Sequence, residues 1–461
     1  MRMMGWRIAG VAGLTVAGLL AADGLHAARA PVDVRDAPEC ALPSAARPEP
    51  KADAPDRPDW LLGEHRYLEL AAWLETAART GTAPARTVEY VRGVLANKQN
   101  QNDASIEQLE PLRTRLDPVA DSARAVVVLE TLADDYLKTY RYDAAATALA
   151  QLDREHGPAM ASADREDVEE ELALRRALRH AAPQHVSIAA PFTVALRPDA
   201  LGLREVTVRV GSDSSGWMFD TGANLSTITE GMARRLGLHV IATAAKTKGI
   251  TGVGVPTRVT VIPEMRVGGA RIRNAIAIVL PDSSLDIPQA HFQITAILGY
   301  PVLEALGRLA IGTDSLGVDP GIGETLSDSS NLFLDDLSPL VAAKVGDTTR
   351  LFHFDSGADA TLLTVRFCRA YASLLTGIAP THVKIGGAGG VQRYDGYKLA
   401  RLPLTIGGTR AVLDSVFVFR DESKSPFEAY YGNLSGAVAA KFGGYTIDFR
   451  AMTFELGAKT R

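Results

Sequence analysis

The sequence predicts a multi-domain chain: an all-α region of helical-repeat character, followed by an all-β region in which one pattern occurs twice and makes two lobes. Three observations predict it. From Trp60 to about Ala181 the chain is rich in Ala, Leu, Glu and Arg and poor in Gly and β-branched runs, the texture of packed helices. After Pro183, short strand-like segments such as Val206–Val210 and Val383–Ile385 stand beside Gly-rich turns. Within that second part, distinctive residues recur at a nearly constant spacing.

Length and charge bound what the chain can be. Its 461 residues allow two or three domains, and 46% hydrophobic content with a mean hydropathy of +0.02 suits globular packing. The 49 Lys and Arg are interspersed with 54 Asp and Glu, a net charge of −5. No basic stripe points to nucleic acid. The two cysteines, Cys40 and Cys368, fall in a tether and in a helix, so a disulfide between them is not expected. No Cys or His pairing has metal-ligand spacing, so no metal and no cofactor are expected.

Taken in order, residues 1–30 read as an export signal: Arg2 and Arg7, an apolar run of 14 from Ile8 to Ala21, then small-residue cleavage sites at Leu25-His26-Ala27 and Ala28-Arg29-Ala30. The run is short for a membrane span, and no cysteine follows it closely to carry a lipid. The expected location is periplasmic or secreted, with no stable membrane span after cleavage. Residues 31–57, rich in Pro, Ala, Asp and Arg, form a flexible linker. Residues 58–182 are the helical domain. Ala133 and Ala145, twelve apart, flank Tyr136 and precede Leu149, and Gly93 and Ser105 are a weaker echo at the same spacing. This pattern resembles tetratricopeptide helix pairs, and the Pro-containing junction near Pro183 separates the region as one expected to fold alone and to act as a recruiting or inhibitory domain. The run Asp167-Val168-Glu169-Glu170-Glu171 reads as a solvated helix face.

The repeat spans residues 203–312 and 332–457, with 313–331 a polar connector. The first copy carries Val208-Arg209-Val210-Gly211 and then Trp217-Met218-Phe219-Asp220-Thr221-Gly222-Ala223-Asn224. The second carries Ala343-Lys344-Val345-Gly346 and then Phe352-His353-Phe354-Asp355-Ser356-Gly357-Ala358-Asp359. The aspartates are 135 residues apart (355 − 220), as are Gly211 and Gly346, and Gly252 and Gly387. The turns at Gly268 and Gly407 match at 139, and Gly299 and Gly432 at 133. Five landmarks in one order are a duplication.

An apolar strand entering Asp-Thr/Ser-Gly-Ala, a Gly-rich hairpin about 30 residues on and an apolar strand with glycine nearly 80 residues on resemble the retropepsin-like aspartic proteases. The resemblance covers residues 203–457 and implies a bilobal acid-protease fold, with each copy of retroviral-subunit size. It implies Asp220 and Asp355 as the catalytic pair. Thr221, Gly222, Ser356 and Gly357 support the active loops. Ile250, Thr251, Gly252, Val253 and Gly254 form one flap, and Gly386, Gly387, Ala388, Gly389 and Gly390 the other. The glycines allow tight turns that leave each carboxylate on a loop. Two close carboxyls share one proton and activate a water for peptide hydrolysis, so the substrate is a polypeptide. Val391-Gln392-Arg393-Tyr394 does not open a helix, which argues against a phosphate loop at Gly386–Gly390. His353, two residues before Asp355, shares its side of the strand and is expected chiefly to pack. Thr227-Ile228-Thr229-Glu230 reads as a capping box. Alanine at 223 and 358 removes a hydroxyl donor found there in acid-acting relatives, implying activity at mildly acidic to near-neutral pH. The alternative is an inactive protease-like scaffold whose helical domain recruits a partner.

Overall fold

The computed structural model describes residues 38–40, 49–200, 202–248, 253–287, 291–321, 326, 330–387, 390–421 and 426–457. The export signal and most of the tether lie outside them, as do Ile250, Thr251, Gly252, Ala388 and Gly389 of the expected flaps.

Among the described residues the first part folds as α1 (Arg57–Gly63), α2 (Tyr67–Thr80), α3 (Ala85–Lys98), α4 (Asn102–Arg113), α5 (Ser122–Lys138), α6 (Tyr142–His156) and α7 (Ser162–Leu178). The first six make three hairpins joined by one kind of turn. Its middle residue is left-handed, at His65 (φ 50°), Asn100 (φ 58°) and Tyr140 (φ 60°). The next N–H returns to a carbonyl five residues back: Arg66 to Leu61, Gln101 to Ala96, Arg141 to Tyr136. The turn satisfies helix-end carbonyls that have no partner within the helix. Gly93 lets α3 and α4 meet, since a Cβ there would lie 2.4 Å from the Leu109 side chain.

All three turns aim at the β part. His65 Nδ1 lies 2.9 Å from Asp335 Oδ2, Asn100 donates to Phe449 O and Glu304 Oε1 (both 3.0 Å), and Gln184 donates to the Tyr140 hydroxyl (3.0 Å). Around the first turn, Asp335 also accepts from Lys98, Tyr67 and Tyr430. Helical residues Leu61, Tyr67, Leu132 and Tyr136 share one buried cluster with Phe333, Leu340, Ile385 and Phe417 of the second lobe. The helical part, expected as a domain apart, thus packs into one core with the second lobe. Its hairpins complete the core of the second lobe, a relation that periodicity within the helices does not encode.

The two lobes have the same strand order. In the first, the hairpin Arg204–Val210/Asp213–Phe219 delivers Asp220. Asp213–Phe219 runs parallel to Ala296–Leu298, which pairs antiparallel with Ser226–Thr229, itself parallel to Ala270–Leu280. In the second, Ser338–Val345/Thr348–Asp355 delivers Asp355. Thr348–Asp355 runs parallel to Gly432–Ser435, antiparallel in turn to Leu362–Leu363, which is parallel to Thr409–Phe419. The first-lobe sheet continues through Phe192–Pro198 to Ser315–Asp319 and Arg308–Ile311, and Arg308–Ile311 pairs on its other side with Tyr445–Asp448. Residues 313–331 are thus more than a polar connector. Leu316 and Val318 alternate into the core, and two apolar residues are too short a pattern to declare a strand in sequence.

Three smaller expectations change. Cys40 and Cys368 are disulfide-bonded, with Cα atoms 5.8 Å apart. The tether returns across the second lobe, where Tyr397 also donates to Glu39 O (3.2 Å). The acidic run on α7 is only partly solvated: Lys248 lies 2.6 Å from Asp167 and 3.5 Å from Glu170, and Glu171 is buried against Arg175. The helix Glu230–Arg235 is capped by Thr229, whose hydroxyl accepts from Met232 N–H (3.2 Å), so the cap sits two residues beyond Thr227.

Candidate active site

Each lobe ends its second strand in Asp-Thr/Ser-Gly, and the two loops meet. Thr221 N–H donates to Ser356 Oγ (3.0 Å) and Ser356 N–H to Thr221 Oγ1 (3.0 Å). Each hydroxyl then donates across to the opposite strand, Thr221 to Phe354 O (3.3 Å) and Ser356 to Phe219 O (3.1 Å). These four reciprocal bonds lock the loops about the pseudo-twofold axis.

The carboxyls are fixed by their own loops. Gly222 N–H donates to Asp220 Oδ1 (2.8 Å) and Gly357 N–H to Asp355 Oδ1 (2.9 Å). A Cβ on Gly222 would lie 2.6 Å from Asp355 Cγ, and one on Gly357 2.5 Å from Asp220 Cγ. Only glycine allows each loop to come this near the other lobe's carboxyl. Both aspartates are fully buried. Burial, and then the charge of Asp355, push the Asp220 carboxyl well above the usual carboxylate range, although the Gly222 and Gly357 N–H groups pull the other way. Two facing carboxyls, one driven to keep its proton, form an acid–base pair.

The flaps are brought to unequal frames. In the first lobe, Lys246–Lys248 pairs with Gly254–Pro256 as a separate ribbon. In the second, Pro380–Gly387 pairs with the long strand Gly390–Ile406, Gly387 facing Gly390 at the described end. Tyr394 packs on Phe419, ring centroids 5.1 Å apart. Val253, in the first expected flap, and Val391, just after the second, are exposed apolar residues (40% and 45%). Asn224, after the first Asp-Thr-Gly-Ala, accepts from Ser338 Oγ of the other lobe (3.0 Å).

Sequence reasoning missed one residue. Asn433 is buried beside Asp355, its Nδ2 donating to Asp355 Oδ2 (3.0 Å), and its Oδ1 lies 2.6 Å from His353 Nδ1. The strand register pairs His353 with Asn433 and Met218 with Ile297. Ser435, not Gly432, therefore stands where Gly299 does, at a spacing of 136 (435 − 299). An offset of 136, one more than that of the aspartates, aligns Asn433-Leu434-Ser435 with Ile297-Leu298-Gly299. The glycine match drew the alignment three residues away. His353, expected chiefly to pack, is tied to the dyad. Among the described residues no group of His, Cys, Asp and Glu side chains can hold a metal ion.

Residues 206–302 match the family model for aspartyl protease. That match covers strands of the first lobe, and the second lobe repeats their order and meets the first through the crossed Thr221/Ser356 bonds. The chain is similar to a retropepsin-like aspartic protease from Rickettsia conorii, at 18% identity over 30% of this chain and 94% of that one, TM-score 0.20. It is also similar to conglutin gamma, a basic 7S globulin from lupine seeds (9% identity, 59% and 95% covered, TM-score 0.34), and to basic 7S globulin from soybean (9%, 59% and 96%, 0.34). No curated protein sequence matches the chain.

Proposed function

We propose that the protein is an exported aspartic endopeptidase that hydrolyses polypeptides with a water activated between Asp220 and Asp355. The observation that carries this reading is the crossed pair of loops, each placing a buried carboxyl against the other lobe. One carboxyl, ionised, takes a proton from water as the oxygen attacks the scissile carbonyl carbon. The other, protonated, donates to the carbonyl oxygen, giving a tetrahedral intermediate. The exposed valines at the two expected flaps suit closure over an extended peptide, which excludes water from the reacting centre.

Export is supported by the sequence of residues 1–30 and by the Cys40–Cys368 bond, since disulfides persist in oxidising compartments. The repeated helix hairpins suit a protein partner on the ends turned away from the β part. Incubating the full chain with a peptide library and reading cleavage by mass spectrometry tests the activity. Cleavage that disappears in Asp220→Asn and in Asp355→Asn supports the reading. A folded wild type that cleaves nothing at any pH from 3 to 8 (roughly the span over which such dyads hold one proton) returns it to an inactive scaffold.

A further inference from the structure

The backbone donors to the dyad are matched, Gly222 to Asp220 and Gly357 to Asp355. The side-chain donors are not. Asp355 Oδ2 receives the Asn433 amide, and Asn433 is backed by His353, both buried (0% and 5% exposed). At the same two places in the same strand register, the first lobe has Ile297 and Met218. Neither can donate, and Asp220 Oδ2 is buried with no comparable bond.

Resting on the aspartic protease reading, we propose that Asn433, oriented by His353, is a positioning residue that assigns the two roles. Asp355 is the ionised member of the resting dyad, and Asp220 is the member that carries the proton. The polarity of the chain follows from donor counting. A carboxylate only accepts, so the NH2 of Asn433 faces Asp355 and its carbonyl faces His353, which must then donate from Nδ1. An Asp355 protonated on Oδ2 would instead donate to the Asn433 carbonyl, the NH2 would turn to His353, and Nδ1 would be bare. Burial holds His353 below its ordinary range against the pull of Asp355 and Asn433, so the neutral tautomer is the one to read. The titratable groups facing Asp355 are Asp220 from the other lobe, His353 on its own strand and, beyond Ser356, the Tyr445 phenol.

The proton path is then specified. The attacking water gives its proton to Asp355, its oxygen bonds the carbonyl carbon, and Asp220 gives its proton to the carbonyl oxygen. As the intermediate collapses, Asp355 passes its proton to the leaving nitrogen, the C–N bond breaks, and one hydroxyl of the gem-diol returns its proton to Asp220. The dyad ends as it began.

Full-length protein labelled with 15N-histidine reports the tautomer of His353 without any change at the site. A proton on Nδ1 is expected, and a neutral ring with the proton on Nε2 overturns the assignment. Kinetics test the role. Asn433→Ile, the first-lobe residue, should move the acid limb of the kcat/KM profile up by about one pH unit, the worth of one hydrogen bond to a charged group. His353→Met should move it less in the same direction, and His353→Gln, which keeps an N–H donor, should restore it. A wild type that cleaves, needs both aspartates, and keeps its acid limb in Asn433→Ile sinks the assignment while leaving the protease reading intact. An inert wild type sinks the protease reading, and the tautomer still decides the polarity of the chain.

Discussion

The two lobes share a strand order and differ in what surrounds it. The second lobe is built into the rest of the molecule: α1 to α6 share its core, Lys98 and His65 reach Asp335, and Cys40 is bonded to Cys368. The first lobe meets other helical residues: Leu137, Tyr142, Leu174 and Leu178 of α5–α7 share a buried cluster with Met265, Val302 and Leu303, Lys248 pairs with Asp167 and Glu170, and Asn100 donates to Glu304. A difference between the lobes reaches the dyad, where His353 and Asn433 stand in the places of Met218 and Ile297. The duplicated halves thus carry different residues at these two places, polar in the second lobe and apolar in the first.

The sharpest way to break the comparison is at the aspartates themselves. Asp220→Asn and Asp355→Asn should each lower kcat/KM by at least about 10²- to 10⁴-fold, with thermal unfolding unchanged. If either variant retained turnover, the lobes would not be joint owners of the site.

Next comes the anchoring of the second lobe. Lys98→Met leaves Asp335 buried without its cation and should cost about 3–5 kcal/mol, read by urea unfolding. Although burial opposes it, Lys98 first and then His65 hold the Asp335 carboxyl well below the usual carboxylate range. A lowered carboxyl contributes stability above its unfolded pKa, about 4, and loses it as pH falls toward the folded value. Unfolding measured from pH 7 down to 3 (roughly spanning that window) should show this loss in the wild type and lack it in Asp335→Asn. Equal acid sensitivity in the two would remove Asp335 from the account.

Replacing Cys40 and Cys368 by serine should cost about 2–4 kcal/mol, measured the same way and against the first lobe's unchanged Lys248 contact. A variant as stable as the wild type would mean that the tether adds nothing to the anchored lobe.

The smallest effect is the most discriminating. Ala223 and Ala358 both lack a hydroxyl beside the dyad, yet only Asp355 has Asn433 in compensation. The raised Asp220 carboxyl keeps its proton to higher pH, so the alkaline limb should reach near-neutral pH. Ala223→Ser, offering a bond to the charged form, should move that limb toward acid by less than about one unit. Ala358→Ser should move the profile less. Equal shifts would make the lobes electrostatically alike.

Much of this was legible in sequence because it is local or repeated. Asp-Thr/Ser-Gly-Ala at a fixed interval located both carboxyl loops, since a turn that brings a carboxyl against a second backbone requires glycine at 222 and 357 whatever surrounds it. Asn433 escaped because its partner His353 is 80 residues away and a conspicuous glycine at 432 captured the alignment.

By itself the sequence determined the duplication, the change from helical to strand texture near Pro183, and the identity of the paired aspartates, all of which depend on residue type and spacing along the chain. Only the tertiary structure decided that the helix turns at His65, Asn100 and Tyr140 dock on the β part, that Cys40 reaches Cys368, and that Asn433 reaches Asp355. Each of these joins residues far apart in sequence, and a single buried polar or sulfur contact leaves no periodicity for a linear reading to find.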